Sequence, residues 1–200
     1  MVMLCFDEEG LRKAISKEPR HRQLAFALAA SGRLLPYYTE YCRISDLSPD
    51  PRPFEYLSQL WRVALKEEKP EPLHVMKARD KALLEIIPCE DGPWNQRHPQ
   101  AEDAVAALAF SNRTIMDDDP QNAIYAARRA YHSADQFAIH NLNCDFSEPD
   151  FEKMLLMHDV VQRELERQER DLALVRTGDI EKMKTLSESE ALLDGYCSKT

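Results

Sequence analysis

The stretch that most constrains this chain is QLAFALAASGRLLPYYTEYCR, Gln23–Arg43, its least charged part. Leu24, Leu28, Ser31 and Leu35 fall on one helical stripe, with Ala27, Ala30 and Leu34 beside it. Apolar residues at this spacing specify a helix buried against others, and Ala25, Ala27, Ala29, Ala30, Ser31 and Gly32 let neighbours approach closely. Pro36 interrupts the pattern. A proline disfavours the α region for the residue before it, so the helix is expected to end or kink near Leu35. Pro36 then suits the first turn of a second piece, Tyr37–Arg43, which carries Tyr37, Tyr38 and Tyr41.

The remaining prolines act as punctuation between periodic segments. The periodicity predicts helices over Phe6–Ser16, Phe54–Leu65, the segment from Pro72 to Ile87, and Ala101–Thr114. Asp119-Pro120 reads as a cap followed by proline in the first turn, opening a helix expected to bury Ala123, Ala127, Ala130, Ala134, Phe137 and Ala138. Ser147-Glu148-Pro149-Asp150 opens a last long helix to about Arg176. Phe151, His158, Leu165 and Leu172 form its apolar stripe, and the pairs Glu166–Arg170 and Arg167–Asp171 are assigned to its outer face. Trp94 is expected to pin the irregular Cys89–Pro99 loop to the core. No segment shows strand alternation. The expected fold is all-α: a single-domain bundle of about seven helices with a proline-broken central helix. The domain is expected to span residues 1–176, followed by a weakly structured extension over 177–200 that holds one weak helix.

Charge narrows the partners. The net charge is −9, and the first 44 residues are net basic, so the remainder carries the negative excess. Phosphate contacts need a basic face, which argues against nucleic acid, and an acidic surface steers toward a basic protein. No apolar run reaches membrane-spanning length. The five cysteines are widely spaced without a C-x-x-C, as in a cytoplasmic protein with reduced thiols, and Cys42 and Cys144 read as buried small hydrophobes.

Several of these pieces together resemble the uncharacterised YjaG-like bacterial family, domain of unknown function 416. The resemblance is carried by Leu24-Ala25-Phe26, Arg33-Leu34-Leu35-Pro36-Tyr37-Tyr38, Tyr41-Cys42, Ile87-Pro88, Asp103-Ala104 with Ala107-Leu108, and the run ERQERDL over Glu166–Leu172. It covers residues 20–176, implies a helical fold, and assigns no activity.

Candidate functional residues follow from local chemistry. His132 and Asp135 share a polar helix face with Arg128 and Gln136 at a spacing open to a metal, with His140 further along. A metal site needs three or four converging ligands, and none completes the set, so no metal and no cofactor are expected. His158 sits on an apolar stripe and is read as a hydrogen-bonded core histidine. Tyr37, Tyr38 and Tyr41 either pack behind the kink or line a contact surface. Arg33 either pairs with a carboxylate such as Asp103 or awaits an anionic ligand. Asp117-Asp118-Asp119 supplies helix-start chemistry, but one cap suffices, which leaves Asp117 and Asp118 to meet a basic partner. There is no Walker loop, G-x-G-x-x-G, G-x-S-x-G or H-E-x-x-H. The leading expectation is a non-enzymatic cytoplasmic protein-binding domain, an acidic adaptor or toxin-immunity-like protein. The alternative is a signalling-associated or ligand-sensing domain with a pocket near Arg33, Tyr37 and Tyr38. An enzyme using His132 or His158 ranks last.

Overall fold

A computed structural model describes residues 3–88, 95, 97–142 and 150–191. Helix accounts for 77% of these residues, and no strand occurs among them. The elements are α1 (Glu8–Ile15), α2 (Arg20–Ile44), α3 (Arg52–Ala64), α4 (Leu73–Ile86), α5 (His98–Met116), α6 (Gln121–Asn141), α7 (Phe151–Leu156), α8 (Asp159–Thr177) and α9 (Ile180–Ser189). They form one all-α bundle.

Helix α2 is the axis of the bundle and packs on α3, α5, α6, α8 and α9. Its small residues permit close approaches. Ser31 Oγ lies 3.0 Å from Ser111 Oγ of α5, so one hydroxyl donates across the gap while the other donates to the carbonyl of its own helix, Ala27 or Ala107. A side chain at Gly32 would meet Ser187 Oγ of α9 at 3.1 Å, so these two helices also touch nearly backbone to side chain.

The expected break at Pro36 is absent: α2 runs unbroken from Arg20 to Ile44 with Pro36 inside it. The proline forfeits the amide that would donate to the Gly32 carbonyl. Burial on both sides offsets that loss. Leu34, Leu35, Tyr37, Tyr38, Tyr41 and Cys42 are all buried, and turning the chain at Leu35 would expose one set or the other.

Local chemistry sets the other ends. Asp7 caps α1 by accepting from the Gly10 amide at 2.9 Å. Asp119 Oδ1 accepts from Gln121 N at 2.9 Å ahead of α6. The long helix expected to end near Arg176 is instead two. The chain turns extended at His158, with φ −63° and ψ 134°, which separates α7 from α8, and the His158 ring caps α8 by accepting from Val160 N at 3.3 Å. His158 thus leaves the apolar stripe for a helix start. Gly178, in the left-handed region at φ 81°, closes α8. Beyond it α9 packs on α2. Trp94, Cys144 and the Ser147–Pro149 helix start lie outside the described residues.

The charged face of α8 also differs from expectation. Glu164, Arg167, Gln168 and Asp171 point inward. Arg33, 1% exposed, donates to Glu164 through Nε (3.1 Å) and Nη2 (3.0 Å), and to Asp171 Oδ2 at 2.6 Å. Glu190, just past α9, joins the network against Arg167 and Arg170. Three guanidinium groups and three carboxylates therefore neutralise one another where α2, α8 and α9 meet.

Candidate functional site

Of the residues singled out from the sequence, Arg33, Tyr37, Tyr38 and Tyr41 lie in the core. Arg33 meets Glu164 and Asp171 rather than Asp103. Burial works against its charge, but the two carboxylates outweigh that and push the guanidinium pKa up. The Arg97 guanidinium lies 5.8 Å from the Tyr37 ring centroid. Tyr38 Oη accepts from Asp50 N at 3.0 Å, and burial pushes the phenol up to about 12. Tyr41 packs edge-on against His98, with ring centroids 5.6 Å apart. Asp117 and Asp118 are exposed at the α5–α6 turn, where Asp118 pairs with Arg20.

His132 opens onto a cavity. Its organiser is Asp103 on α5, which is 1% exposed. Asp103 accepts three bonds from the facing side of α6: Arg129 Nη1 at 3.0 Å, His132 Nδ1 at 2.8 Å and Ser133 Oγ at 2.8 Å. Positions 129, 132 and 133 stand at i, i+3 and i+4, so one helix face delivers all three donors to one buried carboxylate. Because the carboxylate is an acceptor, the proton of that ring nitrogen sits on Nδ1. Nε2 remains as the second polar atom of the ring. The hydrogen bond to Asp103 raises the His132 pKa above 6.5, against the lowering effect of partial burial and of Arg129.

The cavity beside it has a volume of about 290 Å³ and is lined by Phe110, Tyr125, Arg128, Arg129 and His132. Phe110 and Tyr125 form a tilted pair with centroids 5.2 Å apart, and Arg129 lies 6.0 Å from the Phe110 centroid. Arg128 is 60% exposed and reaches Glu8 of α1 at 3.3 Å. The site therefore combines two guanidinium groups and a basic imidazole with an aromatic wall. The long-range partner of this group, Asp103, was not singled out as a site residue from the sequence. The donor spacing on α6 is visible there, but which buried acid it faces is a product of helix packing.

Asp135 and His140 do not join this site as ligands. Burial raises the Asp135 carboxyl pKa, with His132 opposing it, and His140 Nδ1 bonds the Gln136 carbonyl at 2.7 Å. Among the described residues no three His, Cys, Asp or Glu side chains gather as a metal site. No helix among them is long and apolar enough to cross a membrane.

Comparison with known proteins adds a family and a fold. The family model described as protein of unknown function, DUF416, matches residues 10–192. The crystal structure of a DUF416 family protein from Shewanella baltica OS155 is similar, with a TM-score of 0.77 over 90% of this chain and 94% of that one. At 16% sequence identity this likeness establishes a shared fold. No curated protein matches the chain. The chain belongs to DUF416, a family of proteins of unknown function.

Proposed function

We propose that the protein is a non-enzymatic binding module of the bacterial cytoplasm that receives an anionic group in the α5–α6 cavity. The observation that carries this reading is the 2.8 Å hydrogen bond between His132 Nδ1 and Asp103 Oδ2. It orients the ring and favours its charged form beside Arg128 and Arg129. Guanidinium groups recognise carboxylates through paired N–H donors, and the Phe110–Tyr125 wall suits a flat apolar body. The ligand class is an anion carried on an aromatic or similarly planar group. This is the ligand-sensing expectation with its pocket moved from Arg33, Tyr37 and Tyr38 to α6. A catalytic reading has less support, because Ser133 Oγ donates to Asp103 and, among the described residues, no hydroxyl is held against the imidazole.

Titrating the protein with benzoate at pH 6, with benzamidine as the cationic control, tests the proposal by nuclear magnetic resonance. Benzoate should perturb Phe110, Tyr125 and His132, and benzamidine should not. His132→Asn keeps a donor for Asp103 but removes the charge. It and Arg128→Ala should each weaken benzoate binding up to about fivefold, the scale of a partly exposed charge pair. Equal response to both probes would reject the anion site.

A second reading, an adaptor for a basic protein partner, is favoured by the turn that carries Asp117 and Asp118, where the Asp118 side chain is 80% exposed. Replacing both with Asn should slow association with such a partner and flatten its salt dependence. An unchanged rate would assign these acids to the helix turn alone.

A further inference from the structure

The chain ahead of α1 brings one acid to Arg128, which lines the α5–α6 cavity. Phe6 stacks on Tyr131 of α6 with ring centroids 5.1 Å apart, and Asp7 caps α1, which makes Glu8 the first residue of that helix. On the α6 side, Gln121 and Arg128 stand seven residues apart, two turns along one face. Glu8 bridges them. Its Oε1 accepts from Gln121 Nε2 at 2.9 Å, and its Oε2 accepts from Arg128 Nη1 at 3.3 Å. The Leu4 amide and carbonyl are bonded to the Gln162 side chain of α8 at 3.0 and 2.9 Å, and Ile15 at the far end of α1 is fully buried. The backbone that carries Glu8 is therefore anchored on both sides of it.

The cations around the cavity are held in different ways. Arg129 and His132 are bonded to Asp103, whose side chain is 1% exposed. Arg113, 5.4 Å from the Phe110 centroid, is forked by the half-buried Asp80 at 2.8 and 3.0 Å. Those acids are fixed parts of the α5 surroundings. Arg128 is different: its side chain is 60% exposed, and that of its partner Glu8 is 39% exposed. An ion pair this open is weak and can be exchanged for another. A carboxylate entering the cavity must either take Nη1 of Arg128 from Glu8 or sit beside a second carboxylate. Both cost affinity.

We infer that Glu8 is a built-in competitor for the anion site, a residue that sets its affinity by holding Arg128 itself. This rests on the anion-binding reading of the α5–α6 cavity and goes beyond it, because it places control of the site in a helix outside the cavity lining. A ligand gains the guanidinium only in the fraction of molecules where Glu8 has released it, and the apparent affinity falls by that fraction. Removing the competitor restores the loss, which for an exposed pair is about two- to fivefold. The coupling is reciprocal: an anion that takes Arg128 also loosens a tie between α1 and α6.

The test titrates benzoate at pH 6 and constant ionic strength into the full chain as wild type, Glu8→Gln, Arg128→Ala and the double variant, read by nuclear magnetic resonance. Glu8→Gln keeps an oxygen for Gln121 and removes the charge. Glu9→Gln makes the same charge change on the exposed next residue and serves as the control. Glu8→Gln should bind benzoate about two- to fivefold more tightly than wild type, and Glu9→Gln should bind it as wild type does. Most of the Glu8→Gln gain should disappear in the Arg128→Ala background. The competitor role is overturned if Glu8→Gln leaves the affinity unchanged, if Glu9→Gln tightens binding as much, or if the gain is undiminished without Arg128. Each of those results leaves the anion site standing where benzoate perturbs Phe110, Tyr125 and His132 in the wild type. No benzoate response in either wild type or Glu8→Gln removes the site and its competitor together.

Discussion

Arg33 and Glu164 meet in a two-bond fork, at 3.1 and 3.0 Å, with side chains 1% and 0% exposed. The third donor of Arg33 goes to Asp171 at 2.6 Å. An ion pair this deep adds little net stability over an apolar core, but removing one member strands the others without solvent. Arg33→Met should therefore cost about 3–5 kcal/mol in urea unfolding. Arg33→Lys should also be destabilising, because an ammonium cannot supply the planar fork. A loss within about 0.5 kcal/mol, the usual surface value, would show that the pair is not enclosed as described.

The C-terminal end of α8 should depend on one glycine and one arginine acting together. Gly178 sits at φ 81°, and a Cβ there would come within 2.6 Å of Arg22 Nη2. Arg22 Nη1 donates to the Val175 and Arg176 carbonyls, closing the helix end from outside. Gly178→Ala should cost about 1–2 kcal/mol from the left-handed backbone alone. It should cost more in the presence of Arg22 than in an Arg22→Ala background. A double-mutant cycle by chemical denaturation reads the difference, and strictly additive costs would mean that the two do not touch.

His158 and His132 should give opposite pH slopes. Burial lowers the His158 pKa below 6.5, with nearby Asp159 opposing, and its Nδ1 must stay unprotonated to accept from Val160. With the folded value depressed, its contribution is present above pH 6.5 and is lost as pH falls through the folded pKa. His132 has a raised folded value, so its contribution is complete below 6.5 and is lost as pH rises through that value. His158→Asn keeps a capping acceptor and should remove the acid-side loss, measured as urea midpoints on either side of pH 6.5. An unchanged acid slope would mean that His158 does not cap α8 as a neutral ring.

How far the sequence reveals this molecule depends on whether the deciding contact is local. The helices over α2, α3, α4, α5 and α6 follow from apolar spacing, and Asp119-Pro120 marks its own helix start. The polar stripe Glu164, Arg167, Gln168 and Asp171 looks like a solvated face until α2 brings Arg33 to it. An arginine inside an otherwise uncharged stretch, residues 23–39, was the available signal, since such a cation needs buried acids. The α2 break at Pro36 fails for the same reason, because tertiary burial outweighs one missing hydrogen bond. At the candidate site the α6 spacing of Arg129, His132 and Ser133 is legible, whereas their convergence on Asp103 needs the α5–α6 packing.

The most direct test of the anion site is a nuclear magnetic resonance pH titration of the His132 ring, without and with saturating benzoate. The account predicts an apparent pKa above 6.5 in the free protein, shifted further up by benzoate, because a ligand that prefers the protonated ring must stabilise it. An Asp103→Asn variant should lose most of the initial elevation. A His132 pKa at or below 6.5, or one that benzoate leaves unmoved, would contradict the proposal that Asp103 charges this ring for anion binding.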